Sequence, residues 1–443
     1  MRLTPVKSAA RLGILFLPLT ASSQAKLPRL SDAEVARRVN EYVAPLANHE
    51  LSGTLLVARG NRILIERSFG LSNYELGVRF TPTTPTNIAS LTKPLTEIIV
   101  ARLSDEKKLS WGDTVSRWLP NYVYGSKMTV TQLINHRAGV PHRLLPEAEE
   151  SQPHTAQEMV EAANKVPLLF QPGASESYSS GGYAILAAVL ERAGKQTYDE
   201  LLQHYVAIPV SAKGIRHVDS RMIVPGRASS VIPIGSGWIN APLRDYSFLV
   251  GAGSVYTTPR DFFLVVRGLV NGTYGATARD SLMESDGMHW NGEGGGFRTI
   301  ADWYAVDSLT VLYFSNVRLG ATDLLRHQIP RIVAGENVLP PVVPHPKAVS
   351  LSPAAQQRLV GDYDTGDGDI NTVTFASPSL MNWGERFLLA LDDSTFYSFA
   401  DYAKVRFPSD STGAVKGIDW GPGTWATRGQ HLRFPRVRPR PTQ

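Results

Sequence analysis

No cysteine occurs in the 443 residues, which excludes a disulfide framework, a thiolate nucleophile and any cysteine-ligated metal. Histidine offers no replacement: no two of the ten histidines stand in the His-x-x-x-His spacing of a zinc helix, so no metal is expected. Beyond the first two dozen residues there is no apolar run long enough to span a bilayer. Of the formal net charge of +5, three charges are Arg2, Lys7 and Arg11, and the remaining +2 argues against a nucleic-acid-binding surface. Internal repeats and low-complexity tracts are absent. What remains is a chain with 43% hydrophobic residues, enough for a large core and for more than one domain.

At the N-terminus, the three basic residues precede the apolar run Leu12 to Leu19 and then small residues through Ala25. This order predicts a secretory signal peptide over 1–25 and export to the periplasm or the medium. A retained membrane anchor is the alternative, but the run is short for one.

Downstream, Ser31 and Glu34 have capping-box spacing, and Val35, Val39, Val43 and Leu46 follow at helical intervals. Gly53 to Ala58 and Arg62 to Arg67 predict strands joined at Gly60-Asn61, a hairpin turn. A second hairpin is expected from Trp303 to Val306 and Thr310 to Phe314, followed by a helix near 321–334. Helical stretches at 97–108, 130–136, 156–165 and 183–193 lie between. The fold class is therefore α+β: an antiparallel sheet built from both ends of a domain, 26–337, around a large helical insertion. The proline-rich stretch 338–350 reads as an extended linker. Short strand-like runs at 359–364, 371–375, 386–391 and 403–407 then predict a small all-β domain over 351–443. Arg433, Arg436, Arg438 and Arg440 form a basic tail, read as a frayed terminus, with weak contact to an anionic envelope surface as the alternative.

Chemistry concentrates at Asn87-Ile88-Ala89-Ser90-Leu91-Thr92-Lys93-Pro94. A serine and a lysine three residues apart at a helix opening share one face, as nucleophile and base. Pro94 fits only a first turn, which places Ser90 at the positive helix end with its free N–H toward a developing oxyanion. Leu95, Ile98, Ile99 and Leu103 predict a helix with one buried face, Arg102 lying beside it. The pattern recurs by chance at Ser23 to Lys26 and Ser104 to Lys107, the former in the signal peptide and the latter late in the Lys93 helix.

Further segments follow in order: Lys107 to Asp113, Trp118-Leu119-Pro120, Met128 to Gly139, Gln171-Pro172-Gly173, Ser177-Tyr178-Ser179-Ser180-Gly181-Gly182-Tyr183, and Gly251 to Asp261. Together with Ser90 and Lys93 this series resembles the serine β-lactamase and penicillin-binding-protein family over roughly 51–316. The resemblance implies that Ser90 attacks an acyl carbonyl, that Lys93 in a shielded site accepts its proton, and that Tyr178 relays a proton to the leaving group and activates the deacylating water. Neither a metal nor another cofactor is implied. His136 is read as a structural hydrogen-bonding residue.

Two departures bear on substrate. Ser180 stands where many members carry asparagine. The third family element, a Lys or His two residues before a Gly, falls on Trp290-Asn291-Gly292, without a cation; a register one residue longer would use His289 instead. A Trp-x-Gly here resembles the family VIII carboxylesterases, and loss of the cation disfavours a substrate carboxylate. Glu293 is where the family supplies its second oxyanion N–H, and its acidic side chain is expected to repel an anionic substrate or favour a cationic amine, as in the related D-aminopeptidases. Gly292 to Gly296 lacks the Lys-Ser/Thr ending of a phosphate loop. The small β domain resembles the lipocalin-like modules appended to some members, with capping or substrate restriction as its expected role. The reading is an exported serine hydrolase acting on a small acyl substrate, an ester or small amide. The rivals are a D-amino-acid-specific peptidase, DD-carboxypeptidase or weak β-lactamase on the same fold, and a non-catalytic scaffold or penicilloyl sensor.

Overall fold

The computed structural model describes residues 29–235, 237–364, 370–384, 386–423 and 432–439. The expected signal peptide lies outside them, as does Arg440. A five-stranded antiparallel sheet forms the centre of the first domain, in the order Gly287–Gly294, Phe297–Tyr304, Leu309–Ser315, Gly53–Arg59, Arg62–Phe69. Its middle strand, Leu309–Ser315, is buried along its whole length, as a strand covered on both faces must be. Alternation divides the two faces. Leu55, Val57, Val311 and Tyr313 pack against the helices Asp32–Val43 and Ala321–Val333, while Leu56, Ala58, Leu312 and Phe314 face the helical insertion.

The first helix starts where expected, but only half of its capping box forms. Ser31 Oγ accepts the Glu34 N–H at 3.2 Å, whereas the Glu34 carboxylate turns outward to Arg37 and Arg38. Two guanidiniums outbid one backbone N–H for the same carboxylate.

At the centre of the insertion lies the helix Thr92–Asp105, preceded by a 3-10 turn at Ala89–Leu91. The expected single buried face is corrected here: every residue from Thr92 to Ala101 is buried except Glu97, which is partly so. Helix Ser180–Gly194 and the sheet pack around it, so polar residues on its far side are enclosed by tertiary structure that spacing alone does not report.

Residues 337–352 form no helix or strand. They lie along the first domain, with Val338 and Val343 against the sheet-side core and His345 3.3 Å from Glu50. Beyond them, eight strands from Gly361–Asp364 to Leu432–Pro439 close into a barrel. Leu359 ends a short helix, Pro353–Leu359, rather than starting a strand. The barrel interior is filled with rings: Trp383 lies 5.3 Å from Trp420 and 5.1 Å from Phe434, and Phe396 lies 5.4 Å from Phe407. The frayed-tail expectation is corrected as well. Arg433 and Arg436 belong to the strand that closes the barrel, and Arg436 donates to the Arg358 carbonyl at 3.1 Å and to that of Val360.

The barrel is docked on the first domain through apolar contact. Leu389, Tyr397 and Phe399 are buried in the same cluster as Val231, Leu319 and the outer face of the sheet. Polar ties flank this patch: Gly320 N–H to Phe399 O at 3.1 Å, and the Tyr402 hydroxyl to the buried Glu50 carboxylate. Among the described residues no helix is long and apolar enough to cross a membrane.

Candidate active site

Ser90 is presented by a bent piece of backbone. Ala89 holds a left-handed conformation, φ 46°, which costs a non-glycine residue on the order of 1 kcal/mol or more. Asn87 holds it there: its Oδ1 accepts the Ala89 N–H at 2.8 Å and its Nδ2 donates to Gly253 O at 3.1 Å. The motif asparagine thus locks the turn that exposes the serine.

Around Ser90 the structure gathers Lys93, Tyr178 and Ser180, which the sequence places up to 90 residues apart. Lys93 Nζ lies 3.2 Å from Ser90 Oγ, 3.2 Å from Ser180 Oγ and 3.2 Å from Ala252 O. The Tyr178 hydroxyl donates to Ser90 Oγ at 2.8 Å. Lys93 is 5% exposed and Tyr178 45%, so the amine is dry while the phenol borders open space. Burial brings the Lys93 ammonium down to about 7, against an upward pull from Glu97. A neutral Lys93 spends its two N–H groups on Ala252 O and Ser180 Oγ and leaves its lone pair for the Ser90 proton. Burial also raises the Tyr178 phenol, the Ser90 bond opposing it, which keeps the O–H as a donor at neutral pH.

Three supporting residues escaped the sequence reading. Glu97, one turn beyond Lys93, is pushed up to about 7 by burial, against the Tyr183 hydrogen bond and the Lys93 charge; Tyr183 donates to its Oε1 at 2.8 Å. His142 accepts the Ser180 N–H at 3.3 Å and stacks on Tyr178 at 5.5 Å. Asn87 is the third. Asn87 stood in the motif without a role, Glu97 as a carboxylate inside an apolar helix, and His142 left no trace. His136 accepts the Ser179 N–H at 3.1 Å and packs against Tyr178 at 4.5 Å. Burial depresses its imidazole to about 4, so it serves as a neutral acceptor.

The edge strand 287–294 carries the third element. A Cβ on Gly292 would lie 2.2 Å from Ile88 O and 3.0 Å from Ser90 N, so only glycine lets this backbone reach the nucleophile's N–H. The peptide Gly292-Glu293 therefore flanks the position where two N–H groups would meet an oxyanion. Trp290 does not line the cavity: it is half-buried, edge-on to Phe262 at 6.4 Å. Asn291 is exposed on the opposite face. His289 shares that face, 3.4 Å from Asp302 and 4.8 Å from the Tyr304 ring, which directs it away from Ser90.

The expectation for Glu293 is corrected. Its carboxylate is no free acid, because Arg298, Arg318 and, at 3.8 Å, Arg386 of the barrel surround it. Burial works against the charged form, but the three guanidiniums prevail and hold Glu293 at about 2. It is a permanent anion whose field is spent on its neighbours, with nothing left to repel an anion or attract an amine.

A cavity of about 730 Å³ opens over Ser90, Tyr178 and Ser180. Leu144, Leu145, Met159, Phe248 and Leu249 give it an apolar side, and residues of the barrel form the other. Its charged lining groups are paired among themselves: Arg244 with Glu150 at 2.9 Å and Glu147 at 3.9 Å, Arg143 with Glu150 at 3.6 Å, Arg318 and Arg386 with Glu293. Among the described residues no cluster of His, Asp and Glu is placed to hold a metal ion.

A helix-borne serine and lysine, a tyrosine from a distant loop and a glycine-bearing edge strand thus meet at one cavity. The family description Beta-lactamase matches residues 35–322, well over half of the chain, and the chain belongs to that family. Among curated relatives, penicillin-binding protein 4* of Bacillus subtilis is 28% identical over 184 residues, 40% of each chain. The putative penicillin-binding protein PbpX of the same organism is 22% identical over 236 residues, 53% of this chain and 58% of its own. The chain thus spans about half the length of these relatives. Solved structures share the fold. FmtA of Staphylococcus aureus superposes with a TM-score of 0.61 at 17% identity, over 72% of this chain and 92% of that one. A D-amino acid amidase of Ochrobactrum anthropi SV3 gives 0.58 at 16%, over 68% and 98%. SurE gives 0.59 at 21%, over 92% of this chain and 99% of the other, a likeness that extends into the barrel.

Proposed function

We propose that the protein is a serine hydrolase that forms an acyl-enzyme on Ser90 with uncharged esters or small amides, outside the cytoplasm. One observation carries the reading: the Ser90 hydroxyl sits between a dehydrated amine at 3.2 Å and a phenol at 2.8 Å. In the acylation step Ser90 Oγ bonds to the carbonyl carbon as its proton passes to Lys93 Nζ. The oxyanion lies against the N–H groups of Ser90 and Glu293, and Tyr178 gives its proton to the departing oxygen or nitrogen. Water then attacks the acyl carbon, its proton taken by the Tyr178 oxygen, and Ser90 leaves with the proton held on Lys93. The self-paired charges of the cavity favour neutral substrates over carboxylates, and the half-buried Trp290 leaves no cation where the family commonly has one.

Intact-protein mass spectrometry after exposure to a p-nitrophenyl ester, a D-amino acid amide and a β-lactam tests this reading. Expected is a transient adduct and turnover with the ester or amide, both lost in Ser90→Ala. An adduct that forms and never hydrolyses would point to a sensor, and no adduct from any of the three would end the proposal.

A further inference from the structure

We propose that Thr96 and Tyr198 are positioning residues for the reaction at Ser90, holding the turn 251–253 whose Ala252 carbonyl fixes the Lys93 amine. This deepens the hydrolase reading and rests on it. Neither residue reaches the substrate: Thr96 is fully buried, Tyr198 is 1% exposed, and neither lines the cavity over Ser90.

Three consecutive carbonyls of that turn receive three side chains of the nucleophile segment. Thr96 Oγ1 donates to Gly251 O at 2.7 Å, Lys93 Nζ to Ala252 O at 3.2 Å and Asn87 Nδ2 to Gly253 O at 3.1 Å. Asn87 locks the bend before Ser90 and Lys93 faces the Ser90 hydroxyl, so Thr96 completes a comb that ties the turn's backbone to both reacting residues. The turn needs such a hold. Gly251 has φ 73°, and a Cβ there would lie 2.8 Å from Tyr183 O. The closest approach to helix Ser180–Gly194 is thus made by a residue with no side chain to pack and the most backbone freedom to lose.

The protons give this contact one direction. Gly251 O can only accept, so the Thr96 hydroxyl commits its single proton there, in preference to Thr92 O at 3.3 Å. The Tyr198 hydroxyl, 2.7 Å from Thr96 Oγ1, is then the donor of that pair. Burial raises the Tyr198 phenol, which keeps it a donor through neutral pH. The residue after it anchors the other end of the turn. Asp199 accepts the His217 N–H at 2.9 Å, and His217 Nδ1 lies 2.7 Å from the buried Ser254 Oγ. The start of helix Tyr198–Leu202 therefore grips both ends of the turn that holds Lys93.

The consequence falls on the base. Of the three oxygens around Lys93 Nζ, on Ser90, Ser180 and Ala252, only the carbonyl cannot donate, so it fixes where one N–H points and thereby aims the lone pair at Ser90. A carbonyl acceptor also favours the ammonium over the free amine. Releasing the turn from Thr96 lets the amine rotate away from Ser90 and removes that acceptor, which moves Lys93 toward acid. The other groups facing Lys93 are Glu97 on its own helix, the rings of Tyr178 and Tyr183 at 4.7 and 5.4 Å, and His136. The variants below leave each of these chemically unchanged.

The test follows, as a function of pH, the second-order rate at which a fluorophosphonate labels Ser90 and kcat/KM for p-nitrophenyl acetate. Wild type, Thr96→Val, Thr96→Ser and Tyr198→Phe are compared as full chains, with melting temperatures in parallel. In labelling, Ser90 Oγ bonds to phosphorus as fluoride leaves and Lys93 takes the proton, so the probe reports the activated serine without turnover. Thr96→Val is expected to lower both rates by about 10- to 10²-fold and to move the rising limb toward acid. Thr96→Ser keeps the hydroxyl and should retain both rates, while Tyr198→Phe should fall between the two and move the limb the same way. Tyr198→Phe also carries the test if Thr96→Val does not fold. The proposal is overturned if the folded variant keeps wild-type rates, or if its limb does not move toward acid. A Thr96→Ser protein as impaired as Thr96→Val overturns it too, since packing alone would then be at work. In each case a labelled wild type leaves the hydrolase reading standing, whereas a wild type that takes no label on Ser90 overturns both.

Discussion

Replacing Glu97 by glutamine keeps the volume of a buried side chain and an acceptor for the Tyr183 hydroxyl, while removing the carboxylate charge that acts on Lys93. Positions four apart on one helix face bring side chains to about 5–6 Å. At about 6 Å and an effective dielectric constant of about 20, a full charge pair is worth roughly 2.8 kcal/mol, or about two pH units. Glu97 is itself held near 7, so at that pH it carries about half its charge, and the expected effect is about one pH unit. The sign follows from the base role. Lys93 must be neutral to accept the Ser90 proton, so wild-type kcat/KM rises as pH climbs through about 7. Glu97 pulls the amine upward, so Glu97→Gln lets it fall and the rising limb moves about one unit toward acid. The assay is kcat/KM from pH 5 to 9 with an ester and blank subtraction. A limb that stays in place, or moves toward alkali, in a folded and active variant would refute the coupling of these two groups.

Three further outcomes are expected. Tyr178→Phe keeps the ring against His136 and His142 but removes the donor to Ser90, and should cut kcat by about 10²–10⁴-fold with the melting temperature unchanged, measured by steady-state kinetics and calorimetry. In Gly292→Ala the added methyl meets Ile88 O and displaces the edge strand, so kcat should fall by at least about 10²-fold, the cost of one lost oxyanion donor; an active variant would show that the strand does not serve the oxyanion. Trp383→Ala empties the centre of the barrel and should cost about 3–5 kcal/mol of barrel stability, read by denaturant unfolding; a loss under about 1 kcal/mol would mean that the rings do not hold the barrel closed.

What the sequence disclosed followed from how local each signal was. The hairpin at Gly60-Asn61, the start of the first helix at Ser31 and the pairing of Ser90 with Lys93 are short-range patterns, and all are present in the structure, the Ser31 capping box by half. Tyr178 was legible only through its Ser-Gly-Gly-Tyr surroundings, since nothing in spacing brings it across 88 residues to Ser90. Glu97 was passed over because a carboxylate on a helix ordinarily reads as solvated, and only the packing of Ser180–Gly194 encloses it. Trp290 was placed at the third family element, but its direction depends on the neighbouring Phe262. The arginine clamp on Glu293 joins positions 293, 298, 318 and 386, with the last on another domain. The basic tail read as loose because strand pairing with residues 361–363 and 417–420 leaves no mark on composition.

That final strand has a consequence for how the barrel is completed. Residues 432–439 join the first and seventh strands of the barrel, and without them Gly361–Asp364 and Gly417–Trp420 each have an unpaired edge. The ring of strands closes only when this segment has paired on both sides, so the barrel is complete last in the order of the chain. A chain cut before residue 432 would therefore present two open strand edges on which another chain could pair.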